Sequence, residues 1–140
     1  MKLAVLVFAL LSGVAQAQVA APATAAASAG VDEAARPKVT SQSWSIKVER
    51  SAKADGKLTF RLWRNDTAPM DVSIDVKQGQ TDRAIALALK NAFRDVLDSQ
   101  DFHVEVAANY VQLRALRGER RFGIELAAPV MGVDIELIRR

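Results

Sequence analysis

The sequence predicts an α+β domain, a mainly antiparallel sheet of about six or seven strands, curled or split, with one amphipathic helix. Three observations predict it. Apolar residues alternate in three segments between Trp44 and Val76, the spacing becomes helical from Thr81 to Asp98, and alternation returns in segments between Phe102 and Leu137. The order reads β-β-β-α-β-β-β-β, and the short links between strands favour antiparallel pairing.

In the first strand Trp44, Ile46 and Val48 alternate with Ser45, Lys47 and Glu49, the pattern of a half-buried strand. Ala54-Asp55-Gly56 marks a turn, and Leu58, Phe60 and Leu62 then alternate with Thr59, Arg61 and Trp63. These two segments are expected to form a hairpin. Asn65-Asp66-Thr67-Ala68-Pro69 supplies the next turn. Val72, Ile74 and Val76 follow, alternating with Asp71, Ser73 and Asp75.

Thr81 is placed to cap a helix, and Asp82 complements the positive end of its dipole. Ile85, Leu89, Ala92, Phe93 and Val96 share one face, while Arg83, Lys90, Arg94 and Asp98 lie opposite. Burying Ile85, Leu89, Phe93 and Val96 at ~1.5 to 3 kcal/mol each anchors the sheet with ~6 to 12 kcal/mol before entropy costs. Leu87 projects on the polar side.

Three short strands follow: Phe102, Val104 and Val106; Val111, Leu113 and Ala115; Phe122, Ile124 and Leu126. Ala108-Asn109 and Arg117-Gly118-Glu119 are hairpin candidates, and Pro129 to Gly132 leads to a last strand with Val133, Ile135 and Leu137 inside. A helix about 10 Å wide covers only two or three strands spaced about 4.8 Å apart. Either the sheet folds over so that its halves pack together, or a second copy or partner supplies the missing layer.

The beginning of the chain is of another kind. Lys2, the apolar run Leu3 to Leu11 and the small-x-small pattern Ala15-Gln16-Ala17 form an export signal over residues 1–17. That run is too short to remain as a spanning helix, so stable membrane insertion is not expected and the mature chain is placed in the periplasm or secreted. Residues 18–38 are Ala-rich with almost no large apolar side chain, and are read as a flexible tether before a single domain at residues 39–140.

Without Lys2 the 19 basic residues become 18 against 16 acidic ones, and the formal charge falls from +3 to +2. So mixed a surface argues against nucleic acid as a partner. The absence of cysteine excludes disulfides, thiol nucleophiles and cysteine metal sites.

The stretch from Val76 to Leu126 carries Gly79-Gln80-Thr81, then Ile85-Ala86-Leu87-Ala88-Leu89 with Ala92-Phe93. It continues with Val104-Glu105-Val106, Val111 to Ala115, and Gly118 before Phe122-Gly123-Ile124. This resembles the strand-helix-hairpin modules of bacterial flagellar and phage tail proteins. The resemblance implies a structural or interaction element without catalytic residues; a cleavable export signal departs from that pattern.

Candidate chemistry is sparse. His103, the sole histidine, shares a strand face with Glu105, but no Gly-x-Ser-x-Gly elbow accompanies it. One histidine with scattered carboxylates lacks zinc-ligand spacing, and no cofactor or metal is expected. Asp71 with Asp75, and Asp134 with Glu136, are carboxylate pairs that strand alternation already explains. Asn65-Asp66-Thr67 matches a glycosylation acceptor, and a turn explains it equally well.

The expectation is a non-catalytic binding or assembly module that docks a protein partner or a second copy through a sheet face or edge. Arg114, Arg117, Arg120 and Arg121 gather near one hairpin, where they could meet an anionic envelope component or blunt a strand edge. Tyr110 and Trp63 join them as candidate partner contacts. Trp63 is exposed if the register holds, and a bulge would turn it into the core. The alternative function is inhibition of a periplasmic or host hydrolase through residues 117–121. A hydrolase of an envelope polymer ranks behind both.

Overall fold

The computed structural model describes residues 36–65, 67–116 and 121–140. The elements are β1 (Ser43–Glu49), β2 (Gly56–Trp63), β3 (Met70–Val76), α1 (Asp82–Val96), β4 (Phe102–Ala107), β5 (Tyr110–Ala115), β6 (Gly123–Ala128) and β7 (Asp134–Arg139). The order is the predicted one and all strand pairs are antiparallel. The strands do not belong to one sheet that curls or splits. They form two separately hydrogen-bonded sheets, one ordered β4-β5-β1-β7 and the other β3-β2-β6.

Both sheets and the helix feed a single core. Trp44, Ile46, Val48, Val111 and Leu113 come from the larger sheet, Leu58, Phe60, Leu62, Val72, Ile74 and Ile124 from the smaller, and Ile85, Leu89 and Phe93 from α1. Phe93 reaches Phe60 with ring centroids 6.0 Å apart, and Phe102 meets Phe122 edge-on at 5.2 Å. The missing layer over each sheet's apolar face is thus made by the other sheet together with the helix.

The helix starts as its sequence requires. The Thr81 hydroxyl accepts from the Ala84 amide, satisfying one of the free N–H groups of the first turn, and Asp82 sits at the positive end. Leu87 is exposed, as the wheel places it.

Two expected hairpins are replaced by crossings between sheets. β1 pairs with β5 on one side and β7 on the other, which leaves no edge for β2. The link from Arg50 to Asp55 carries the chain across instead: Arg50 turns with φ +66, the Ala52 amide donates to Gln80 O, and the Lys53 amide donates to Met131 O. Likewise β5 and β6 lie in different sheets, so the chain between them is not a hairpin; residues 117–120 themselves lie outside the described residues. The Ala108-Asn109 hairpin between β4 and β5 forms as expected, with Ala108 at φ +53.

The chain already contacts the domain at Arg36. Its guanidinium donates to Arg64 O and lies over the Trp63 ring, 5.7 Å from the centroid. Pro37 packs close to Gly123, where an added Cβ would stand 3.3 Å from the proline ring. Residues 18–35 of the expected tether and the export signal fall outside the described residues. Among the described residues no helix is long and apolar enough to cross a membrane.

Candidate functional site

A groove of about 650 Å³ runs between the second half of α1 and β4, lined by Lys90, Arg94, Leu97, Ser99, Phe102, His103, Val104, Glu105 and Val106. Local sequence builds each wall. Lys90 and Arg94, four apart on the helix, share its polar face, and the turn at residues 98–101 brings β4 back beside them. There the Phe102 amide donates to Asp98 O at 2.9 Å and the Gln100 amide to Asp98 Oδ1 at 2.8 Å.

The pairing pattern decides what β4 offers the groove. In an antiparallel strand, successive residues turn their N–H and C=O groups to opposite sides. The Ala115 amide donates to Gln42 O, on the β1 side of β5. Tyr110, Gln112 and Arg114 therefore face β4, and their partners Ala107, Glu105 and His103 spend their backbone groups on β5. Val104 and Val106 direct both backbone groups away from β5, toward the groove, and so does the Phe102 carbonyl. No backbone partner meets the Val104 or Val106 groups among the described residues.

Charge along the groove is uneven. His103 Nε2 and Glu105 Oε1 lie 2.7 Å apart, both largely exposed on the outer face of β4. Lys90 and Arg94 make no ion pair or hydrogen bond among the described residues, with Lys90 half-buried and Arg94 exposed. Among the described residues the Lys90 and Arg94 charges on the α1 wall meet no ion-pair partner.

The predicted contact residues that are described, Trp63, Tyr110, Arg114 and Arg121, are divided between the two sheets. Trp63 is only 1% exposed, the buried one of the two readings the sequence leaves open, and so is not available as a partner contact. It keeps the predicted register on the outer face of the smaller sheet, but Arg36 and Pro37 cover that face, and its indole Nε1 donates to Glu125 Oε1 at 3.2 Å. Tyr110 and Arg114 sit on the outer face of the larger sheet, Tyr110 beneath the Lys47 ammonium at 5.9 Å and Arg114 exposed opposite His103 and Ser43. Arg121 is exposed before Phe122, and Arg117 and Arg120 lie outside the described residues.

Three of the four carboxylates read as possible acid-base pairs, Asp71, Asp134 and Glu136, are drawn into ion pairs. Arg61 holds Asp71 through two bonds of 2.7 and 3.0 Å, and this bond to Asp71 raises the Arg61 pKa above its ordinary value against the opposing effect of burial. Asp134 lies 3.2 Å from Arg50 and Glu136 3.7 Å from Lys47. His103 has Glu105 as its hydrogen-bond partner, with no serine or threonine hydroxyl bonded to it among the described residues. No cluster of three or more potential metal ligands occurs among the described residues. The chain matches no protein-family model and no curated protein.

Sequence reasoning missed Lys90, Arg94, Ser99, Val104 and Val106 as a site. The signal available was the Lys90 and Arg94 pair at helical spacing, a few residues before a strand; which side of that strand stays open depends on pairing.

Proposed function

We propose that this protein is an exported, periplasmic or secreted binding module that docks a protein partner along the open edge of β4. The observation that carries this reading is the row of backbone groups at Val104 and Val106 that have no partner among the described residues and open into a groove. An exposed sheet edge is a template for another strand, and strand addition is a recurring way of binding an extended segment. The export pattern of residues 1–17 supplies the compartment, and the resemblance of residues 76–126 to appendage modules fits a role in interaction.

Photo-crosslinking in the expressing cell tests the reading. A benzophenone amino acid at Ser99 reports on the groove, and one at Gln112 reports on the outer sheet face. We expect a discrete protein adduct from Ser99 that is absent from Gln112. Adducts from Gln112 alone, or none from Ser99, overturn docking at the β4 edge.

A further inference from the structure

We infer that the occupant of the β4 groove is an extended acidic peptide segment, added as a strand beside β4 with its carboxylates toward Lys90 and Arg94; this rests on the edge-docking reading above. Three observations meet here. The backbone groups of Val104 and Val106 and the carbonyl of Phe102 are spaced for an added strand of about five residues. The facing wall carries two cations without partners among the described residues. Four residues of helix separate Lys90 from Arg94 by about 6 Å along the axis, while carboxylates at alternate positions of a strand stand about 7 Å apart.

The same charges argue against a second copy as occupant. Two-fold pairing of β4 with itself, centred on Val104, would set His103 opposite Glu105 on the outer face, which is favourable. It would also turn Phe102, Val104 and Val106 of one copy toward Lys90 and Arg94 of the other, covering two cations with apolar side chains and no counter-charge. An acidic strand supplies the counter-charge and uses the same backbone groups. The basic wall thus deters self-pairing while leaving the edge open to a strand of opposite sign.

The experiment is fluorescence anisotropy of the purified protein with a labelled heptapeptide alternating valine and glutamate. Companion probes carry glutamine for glutamate, lysine for glutamate, or N-methyl groups on alternate amides in each of the two phases. We expect the acidic peptide to bind and the glutamine peptide to bind at least about tenfold more weakly. One N-methyl phase should abolish binding and the other leave it. Lys90→Glu with Arg94→Glu should reverse the preference toward the lysine peptide, at exposed or half-buried positions that do not threaten the fold.

Equal binding of the glutamine and acidic peptides overturns the charge assignment while the edge-docking reading survives. Equal tolerance of both N-methyl phases overturns strand addition, because backbone groups then play no part. If the acidic peptide fails to bind while Ser99 still yields its crosslinked partner, the acidic occupant is wrong and docking stands. If both fail, both readings fall.

Discussion

Arg36 lies over the Trp63 ring at 5.7 Å, on a sheet face that points away from the main core. The strand register therefore holds while the residue is buried, because chain from outside the strand region covers it. A cation over an indole contributes about 0.5 to 2 kcal/mol depending on desolvation, and the arginine stem adds apolar cover. Arg36→Ala is expected to lower stability by about 1 kcal/mol. In a Trp44→Phe background it should also shift tryptophan emission to longer wavelength. Unchanged emission together with an unchanged urea midpoint would show that Arg36 does not shield the ring.

Phe93 is where the helix holds the smaller sheet. It has no exposed surface, and its ring meets Phe60 from β2. Phe93→Ala leaves a cavity between helix and sheet, and such truncations cost about 3 to 5 kcal/mol. Phe93→Leu keeps most of the volume and should cost far less. Chemical unfolding of the two variants checks the ranking, and a loss below 1 kcal/mol for the alanine variant, on the order of a surface change, would mean that the helix is not an anchor.

Faces were legible in the sequence and partners were not. The alternation of Leu58, Phe60 and Leu62 states which side chains point inward, and all three are fully buried. It carries no information on whether β2 lies beside β1, since Trp44 is satisfied equally by a neighbour such as Leu113 on β5 and by one on β2. The helix was read nearly to its ends because Thr81 and the spacing of Ile85, Leu89 and Phe93 are local signals. Burial of Trp63 depends on Arg36 and Pro37, far away in the chain. The candidate groove was hidden for the same reason: Val104 offers its amide outward only because β5 occupies the other side, a fact of pairing.

Gly132 and Gly79 separate two costs that a glycine can conceal. Both have positive φ, +87 and +82, a region where a side chain costs about 1 to 2 kcal/mol. A Cβ at Gly79 would meet nothing within 4 Å, whereas at Gly132 it would stand 2.9 Å from the Lys53 backbone nitrogen and closer still to its side chain. Lys53 is bonded through that nitrogen to Met131 O, so the contact cannot relax without straining the hydrogen bond that ties the β1–β2 connection to the turn before β7. Gly79→Ala should therefore lose about 1 kcal/mol and Gly132→Ala clearly more. Equal midpoints in denaturant would show that the tight approach of Lys53 to Gly132 does not constrain the fold.

Lys47 gives the fold a pH dependence on the alkaline side. Its ammonium lies 2.6 Å from Glu49 and 3.7 Å from Glu136, above the Tyr110 ring. The hydrogen bond to Glu49 raises its pKa above 10.5, desolvation opposes the shift, and the charges of Glu49, Tyr110 and Glu136 add to it. A pKa higher in the folded than in the unfolded state means that the folded chain binds the proton more tightly. The resulting stabilisation is complete below the unfolded value and is lost as pH rises through the folded one. Lys47→Met should therefore be less stable than the wild type by a constant amount at neutral and mildly alkaline pH, with the gap closing above about pH 10.5. Urea midpoints of the two proteins at about pH 8 and about pH 11 test this. A gap that stays constant or widens between them would place the contribution of Lys47 in its packing against Tyr110 rather than in its charge.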